Sequence, residues 1–349
     1  MRFLAAMLVA LFHATMWASP TRAASGPLRF GYVGVAFFFV LSGFVLTWTW
    51  RRGDRAGAFY LRRVARVYPL HLLMTAVAAV LASAGVLIDA NGKALPWHLL
   101  LLHGWVPDTS VTYAYNGLSW SLSDEAFFYL VFPVLVVLAA SRWVGPRVLV
   151  VTGLVWLLIG GLVVQCVAPE FSWFLYTLPL YRVGEFALGM GVALAMRSGW
   201  RPPLPPWAGL AAATVGYLSL WVANRLTGGL VEGNYWMTHL IVLPGFVLAV
   251  ATCAAGDLTG SGRGLLRHPW LVTLGQWSFA LYLVHALVIR SSLPLLEMAP
   301  PGARVMVTTG AVCVSILLAG GLYEWWERPI EQRIRRWGGQ RASVVMDKQ

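Results

Sequence analysis

Ten long apolar runs, separated by short polar turns, constrain the fold of this chain more than any other feature. Each run is about 17 to 25 residues long, which is the length of an α-helix that crosses the hydrocarbon core of a bilayer. The sequence therefore predicts an all-α polytopic membrane protein with about ten transmembrane helices. The predicted spans are 3–18, 31–50, 68–88, 118–140, 147–167, 171–195, 207–223, 238–255, 271–289 and 305–326.

Composition supports this class and argues against two others. Hydrophobic residues make up 58% of the 349 residues and charged residues only 11%, whereas a soluble domain carries about 25% charged residues. The net charge of +12 comes from arginines scattered between apolar runs, so no basic face for nucleic acid is indicated. The three cysteines lie inside apolar runs, without the spacing of a disulfide framework or a zinc site, so we expect no metal.

The distribution of basic residues predicts the orientation of the spans. If the loop 51–67 is cytoplasmic, 18 of the 26 Lys and Arg residues fall on cytoplasmic segments and 6 on outer loops. By the positive-inside rule, both termini are then cytoplasmic, as an even number of spans requires. The stretch 95–105 is too short to span and is expected to lie in the interface or to re-enter. We predict one transmembrane domain over 1–336 and a cytoplasmic tail over 337–349.

Arg2 and His13 share one face of the first predicted helix. Eleven residues bring the chain about 20° past three turns and separate the two side chains by about 16 Å along the axis. His13 then lies near the bilayer midplane, where an ionisable side chain is costly and usually functional. The alternative is a cleaved signal peptide, because one basic residue precedes an apolar run. A histidine inside the run and nine further apolar segments argue against that alternative.

Glu125, Arg182 and His285 lie inside later runs. From the helical rise, they and His13 fall in one layer between the midplane and the outer third of the bilayer. A structural ion pair, such as Arg182 with Glu185 one turn away, or a buried core histidine explains any single one equally well. Four together favour a functional site, because uncompensated charges at that depth are too costly to be scattered at random.

Arg62, Arg63 and Arg66 form a basic group on the predicted cytoplasmic side. Arg62 and Arg66 are four residues apart and share a helical face, with Arg63 beside them. Guanidinium groups bind phosphate through two parallel hydrogen bonds, so this face suits a polyphosphate ligand. An orientation signal attracted to anionic lipid explains the same spacing equally well.

Several motifs together resemble the membrane-bound acyltransferase-3 family, over nearly the whole chain. Each motif alone is weak, whereas their order and their positions in the spans are specific. One departure is Ala126, which stands where a second acidic residue often follows the glutamate, while Asp124 precedes it. The motifs are Arg2-x10-His13, Phe38-Phe39-x-x-Ser42-Gly43-Phe44, Arg62-Arg63-x-x-Arg66-x-x-Pro69, Trp120-Ser-Leu-Ser-Asp124-Glu125-x-x-Phe128-Tyr129, Arg182-x-x-Glu185, Ser278-x-x-x-Tyr282-x-x-His285 and Glu327-x-Pro329.

The resemblance implies an O-acyltransferase in a bacterial cytoplasmic (inner) membrane. The acyl group, often acetyl, would pass from cytoplasmic acyl-CoA to a hydroxyl of a sugar-containing or natural-product acceptor. Other expected partners are the lipid bilayer and a second copy of the chain in a homodimer. The implied catalytic residues are His13, Glu125, Arg2 and Arg182. The implied CoA-binding residues are Arg62, Arg63, Arg66 and Ser42, and the implied acceptor-binding residues are Trp120, Tyr129, Ser278, Tyr282 and His285.

A consistent chemical role follows for three of the catalytic residues. A neutral His13 can accept the proton of the attacking hydroxyl as a general base. Glu125 would orient or compensate the imidazolium, and Arg182 would stabilise the oxyanion or pair with Glu185. A covalent acyl-His13 intermediate is an alternative to direct transfer.

Two other functions compete with acyl transfer. A proton-coupled transporter would use the buried His, Glu and Arg residues as a relay, but it predicts an inverted repeat that the sequence does not show. A catalytically inactive receptor or lipid-binding scaffold would not need His13 and Glu125.

The acceptor is the least constrained part of the interpretation. The outer stretch 89–117 carries four aromatic residues that would stack on a sugar, although an interfacial aromatic belt explains them as well. We expect a small glycosylated natural product rather than an envelope glycan. The four residues are Trp97, Trp105, Tyr113 and Tyr115.

Overall fold

The computed structural model describes residues 1–19, 26–51, 53–87, 90–139, 144–260 and 267–336. These residues are predominantly helical and contain no β-strand, which confirms the all-α prediction. The predicted tail 337–349 lies outside the described residues. The long helices are α1 (Arg2–Ala18), α2 (Gly34–Thr49), α3 (Ala56–Ser83), α4 (Trp120–Ala139), α5 (Pro146–Val167), α6 (Pro179–Arg197), α7 (Pro206–Leu226), α8 (Tyr235–Thr259), α9 (Pro269–Ser291) and α10 (Pro301–Leu322).

Each predicted span corresponds to one of these helices, but two of them are not regular spans. Within the described ranges, 8 helices are long and apolar enough to cross a membrane. The segment Pro169–Leu175 and α6, predicted as one span over 171–195, are bent by 50° relative to each other and make a ninth crossing only if they act as one span. α1 is apolar but only 17 residues long. The predicted total of ten crossings is therefore reached only if both the bent pair and the short α1 cross the membrane.

Two helix boundaries differ from the prediction because the helices continue into polar sequence. α3 begins at Ala56 rather than near 68, so the basic group lies in its first turns. α10 is followed without a break by a π-helical turn, Tyr323–Glu327, and the helical segment extends to Arg336. Hydropathy detects only the part of such a helix that is apolar.

One compact unit of the chain comprises Met1–Trp50 and Ser123–Gly275. Its main helix interfaces join α2 to α6, α5 to α6, and α7 to α8. At the crossing of α2 and α6, a side chain at Gly43 would overlap the carbonyl oxygen of Phe186, and one at Gly189 would overlap that of Val40. Small residues commonly permit such close approach of membrane helices. This crossing fixes the two helices that carry Ser42 and Arg182.

The second compact unit comprises Arg51–Leu122 and Gln276–Gln349. The predicted interfacial stretch folds there as short helical turns, Leu95–Leu99, His103–Trp105 and Thr109–Thr112.

Three buried histidines tie these turns to α3. His71 donates from Nε2 to the carbonyl of His98 at 2.8 Å, and the ring of His103 stacks on that of His98 at 3.9 Å. Burial lowers the pKa of His98 to about 4 and holds the pKa of His103 well below its ordinary value. The rings of His98 and His103 are therefore packed as neutral imidazoles.

Candidate active site

His13 is held on α1 in one orientation. Its Nδ1 donates to the carbonyl oxygen of Val9 at 2.9 Å, so the neutral ring keeps a lone pair on Nε2. The half-buried imidazole packs against the rings of Phe12 and Trp17, with centroid distances of 4.8 and 4.9 Å. This tautomer presents Nε2 as a proton acceptor, which is the atom that a general base requires.

Arg2 lies on the same helix but far from that base. It is exposed at the first residue of α1, and the helical rise separates it from His13 by about 16 Å. The two residues are on one continuous helix, as predicted, and are separated by about three turns. The catalytic role assigned to Arg2 stays a prediction.

Glu125 is bound by two hydroxyl groups. Its carboxylate accepts hydrogen bonds from Ser42 on α2 at 3.2 Å and from Tyr129, one turn along α4, at 2.7 Å. Ser42 was predicted to bind the acyl donor and Tyr129 the acceptor. In the structure both donate hydrogen bonds to Glu125 and so orient its carboxylate. Any direct contact with substrate stays a prediction for both.

Arg182 is completely buried in a polar cluster of its own. Its Nη2 lies 3.2 Å from Oε2 of Glu185, which is the pairing that the spacing predicted. Its Nη1 donates to Nδ1 of His239 on α8 at 2.6 Å. The guanidinium also lies over the rings of Phe39 and Tyr176, 4.9 and 5.4 Å from their centroids. Because arginine has no acceptor, the nitrogen of His239 that it contacts is unprotonated.

His239 was not predicted from the sequence. It is 57 residues from Arg182 and stands alone in an apolar run, where a lone histidine gives no spacing signal. Only the packing of α8 in the first unit brings it to the guanidinium.

Asp124 connects the cluster of Arg182 with Glu125. It is fully buried, and neither carboxylate oxygen has a hydrogen-bond partner among the described residues. It lies within electrostatic range of Arg182, Glu185 and Glu125. The three carboxyl groups and the guanidinium therefore lie near one another within the first unit, and we call them the ionisable centre.

The basic group lies in the second unit, in the first turns of α3, where all three arginines are partly exposed. Arg66 is already paired, with Glu327 and with Glu331, the latter at 3.4 Å. Arg62, by contrast, makes no hydrogen bond or ion pair with a described residue. Of the two arginines that share this helical face, Arg66 is therefore bound by carboxylates and Arg62 is not, among the described residues.

Four of the predicted acceptor-binding residues are buried in the second unit. Tyr282 accepts a hydrogen bond from Ser121 at 2.9 Å and donates to the carbonyl of Leu118 at 3.1 Å. His285 donates from Nδ1 to the carbonyl of Leu281 at 2.8 Å. Their contact with an acceptor stays a prediction. The four residues are Trp120, Ser278, Tyr282 and His285. Within the described ranges, no group of His, Cys, Asp or Glu residues is arranged to hold a metal ion.

Comparison with known proteins agrees with the motif resemblance over most of the chain. The model of a family described as an acyltransferase domain matches residues 1–320. Acyltransferase MdmB of Streptomyces mycarofaciens is 35% identical, over 84% of this chain and 78% of that protein. Exopolysaccharide production protein ExoZ of Rhizobium meliloti is 28% identical, over 87% and 91%. Peptidoglycan O-acetyltransferase OatA of Listeria monocytogenes is 24% identical, over 86% and 51%. No solved structure matches the chain.

Proposed function

Because this chain belongs to the acyltransferase-3 family of membrane acyltransferases, we propose that it transfers an acyl group from cytoplasmic acyl-CoA to a hydroxyl of a sugar-containing or natural-product acceptor. Acetyl is the proposed acyl group. Relatives named for exopolysaccharide production and for peptidoglycan O-acetylation support a sugar acceptor. The structural observation that carries the proposal is His13, whose Nδ1 is held by the Val9 carbonyl while Nε2 keeps its lone pair.

The reaction follows from that tautomer. Nε2 of His13 removes the proton of the acceptor hydroxyl as its oxygen attacks the thioester carbonyl and forms the new C–O bond. The tetrahedral intermediate then loses the CoA thiolate as its C–S bond breaks. The imidazolium returns its proton to that thiolate, so the products are the acyl ester and free CoA.

Two charged groups of the first unit would assist this step. The guanidinium of Arg182, held by Glu185 and His239, would stabilise the oxyanion of the tetrahedral intermediate. The carboxylate of Glu125, held by Ser42 and Tyr129, would compensate the positive charge that develops on His13.

The acyl donor would be bound through the phosphates of CoA. Arg62, Arg63 and Arg66 supply guanidinium groups that match phosphate geometry. Arg62 would make the main contact, because Arg66 is engaged by Glu327 and Glu331.

We also propose a bacterial inner membrane as the location, with both termini in the cytoplasm. Cysteine labelling at two exposed or partly exposed positions tests the topology. A cysteine at Asp108 should react with an impermeant reagent from outside the cell, and one at Asp54 should not. Reaction at Asp54 from outside would contradict the orientation.

A transfer assay on purified wild-type protein tests the function. With acetyl-CoA and a set of methyl glycosides, we expect release of free CoA and an equal amount of acetylated glycoside, measured by mass spectrometry. Consumption of acetyl-CoA without ester formation, or no consumption at all, would overturn the proposal. A proton-coupled transporter predicts the second result.

A further inference from the structure

Aromatic rings from four parts of the first unit meet beside His13. The ring of Phe12 lies 5.5 Å from that of Tyr32. Tyr32 lies 5.7 Å from Tyr176 and 5.5 Å from Tyr235, in both cases edge to face. Tyr176 and Tyr235 are 4.8 Å apart with an angle of 32° between their planes. We call Tyr32, Tyr176 and Tyr235 the tyrosine cluster.

The tyrosine cluster has one buried, hydrogen-bonded member, Tyr32, and two partly accessible members, Tyr176 and Tyr235. Tyr32 is 8% exposed and donates its hydroxyl hydrogen to Oγ1 of Thr238 at 3.4 Å. Tyr176 and Tyr235 are only partly buried. The hydroxyl of Tyr235 makes no hydrogen bond with a described residue, so it is available to a ligand.

This packing differs from that of an interfacial aromatic belt. Belt residues place amphipathic rings among lipid headgroups as anchors, whereas these rings pack on one another and on Arg182 and His239. Tyr176 lies 5.4 Å from the guanidinium of Arg182 and stacks nearly parallel to His239 at 5.8 Å. On its other side the cluster reaches the candidate base, because Phe12 contacts both Tyr32 and His13.

We propose that the tyrosine cluster binds the acceptor, and that the group it recognises is a neutral sugar ring. This inference rests on the proposed acyl transfer. Tyrosine combines a rigid apolar face with a hydroxyl at its edge. A pyranose has the matching surface, with C–H bonds on one face and hydroxyls around its rim. A cationic ligand fits less well, because the guanidinium of Arg182 already lies over Tyr176.

The two sides of the tyrosine cluster have separate roles in this binding. The faces of Tyr235 and Tyr176 hold the ring, and the hydroxyl of Tyr235 bonds to a sugar hydroxyl. A second hydroxyl is then directed past Tyr32 and Phe12 towards Nε2 of His13. An acyclic polyol has the hydroxyls but no flat apolar face, so it should be a poor acceptor.

The experiment measures acetyl transfer from acetyl-CoA to methyl glycosides of neutral hexoses and to sorbitol. For Tyr235→Leu we expect the KM for the preferred glycoside to rise about tenfold, with the KM for acetyl-CoA unchanged. Tyr235→Phe keeps the ring and loses the hydroxyl, so its KM should rise only a few-fold. Trp207→Leu is the matched control, since Trp207 is an exposed aromatic residue (71%) at the start of α7 in the same unit.

The possible failures are distinguishable. If the wild-type protein acetylates neither the glycosides nor sorbitol, the proposed function fails. If it acetylates sorbitol as well as glycosides, or if Tyr235→Leu keeps the wild-type KM for the glycoside, the assignment of the tyrosine cluster is wrong. Thermal unfolding of each variant in detergent separates a binding effect from loss of the fold.

Discussion

Each unit contains an ion pair between an arginine and a glutamate, and the two pairs differ in how far solvent reaches them. In the first unit, the side chains of Arg182 and Glu185 are both 0% exposed and lie inside one membrane helix, α6. In the second, the side chain of Arg66 is 21% exposed, and its two partners, Glu331 and Glu327, are 15% and 1% exposed. A fully buried pair has no solvent to replace a lost partner, so its geometry is fixed. A pair that solvent reaches can exchange a carboxylate for another anion, such as a phosphate.

The arginine of the buried pair is therefore held in place, as a catalytic charge must be, whereas a solvent-exposed arginine is available to bind a ligand. Arg182 is fixed by its ion pair with Glu185 and by its hydrogen bond to His239, and electrostatic stabilisation of a transition state requires such a preorganised charge. Arg62, beside Arg66 on α3, has no such partner among the residues that the structure describes. Five variants or conditions test this difference, from the largest expected effect to the smallest.

Arg182→Leu tests the buried pair and should have the largest effect on stability. It leaves Glu185 charged and unpaired in the protein interior, which typically lowers the free energy of unfolding by about 3–5 kcal/mol. The double variant Arg182→Leu/Glu185→Leu should recover most of the stability, but not the acyl transfer. Denaturation in detergent measures the first effect and the transfer assay the second. A single variant as stable as wild type would show that the pair is not fixed.

Acidification should destabilise the histidine group of the second unit. Burial lowers the pKa of His98 to about 4, below its ordinary value of about 6.5. Between those values the unfolded chain binds a proton that the folded protein does not, so stability falls as the pH falls. The full effect for His98 is on the order of 3 kcal/mol. Thermal unfolding from pH 7 to pH 4.5 should show it, and His98→Gln should reduce the pH dependence.

Arg62→Ala tests whether the guanidinium of Arg62 binds the phosphates of acetyl-CoA. Loss of one charge-assisted phosphate contact, worth about 1.5–3 kcal/mol, should raise the KM for acetyl-CoA by roughly ten- to 150-fold. The KM for the acceptor should not change. Arg62→Lys should recover part of the affinity, since it keeps the charge and loses the planar fork. Arg55→Ala, an exposed arginine directly before α3, is the control.

Arg66→Ala distinguishes this binding role from a structural one. It should weaken binding of acetyl-CoA and also lower stability, because Glu327 is buried and loses its partner. Arg62→Ala should leave stability unchanged. Equal loss of stability in both variants would contradict the distinction between fixed and available charges.

Arg267→Ala should have the smallest effect. Arg267 and Asp257 form a 2.8 Å ion pair in the first unit, but their side chains are 47% and 63% exposed. Exposed pairs contribute about 0–1 kcal/mol, so thermal unfolding and transfer should both be close to wild type. A loss as large as that of Arg182→Leu would show that burial does not explain the difference between the pairs.

The sequence predicted the fold well because hydropathy and helical spacing are local signals. Each predicted apolar run is a helix, and Arg182 and Glu185, three residues apart, form the expected pair. The bend before α6 was missed because the residues around Pro179 read as one continuous apolar run. The start of α3 was missed because its first turns are basic.

The parts of the site that depend on packing could not be predicted in this way. His239 and Arg182 lie on different helices, and no local pattern links them. The tyrosine cluster draws one residue from each of three distant segments, and each tyrosine alone reads as an interfacial residue. Likewise, nothing in the sequence indicated that Arg66 is paired with Glu327, 261 residues later.

The central claim, that His13 is the general base of acyl transfer, is tested most directly by the transfer rate of His13→Ala. The purified variant is compared with wild type and with His268→Ala, which removes an exposed histidine just before α9. Loss of a general base typically slows the reaction by about 10² to 10⁴-fold. We predict a loss of that size in kcat for His13→Ala, with thermal unfolding and the KM for acetyl-CoA unchanged, and no loss for His268→Ala. Near-normal kcat in folded His13→Ala protein would contradict the mechanism.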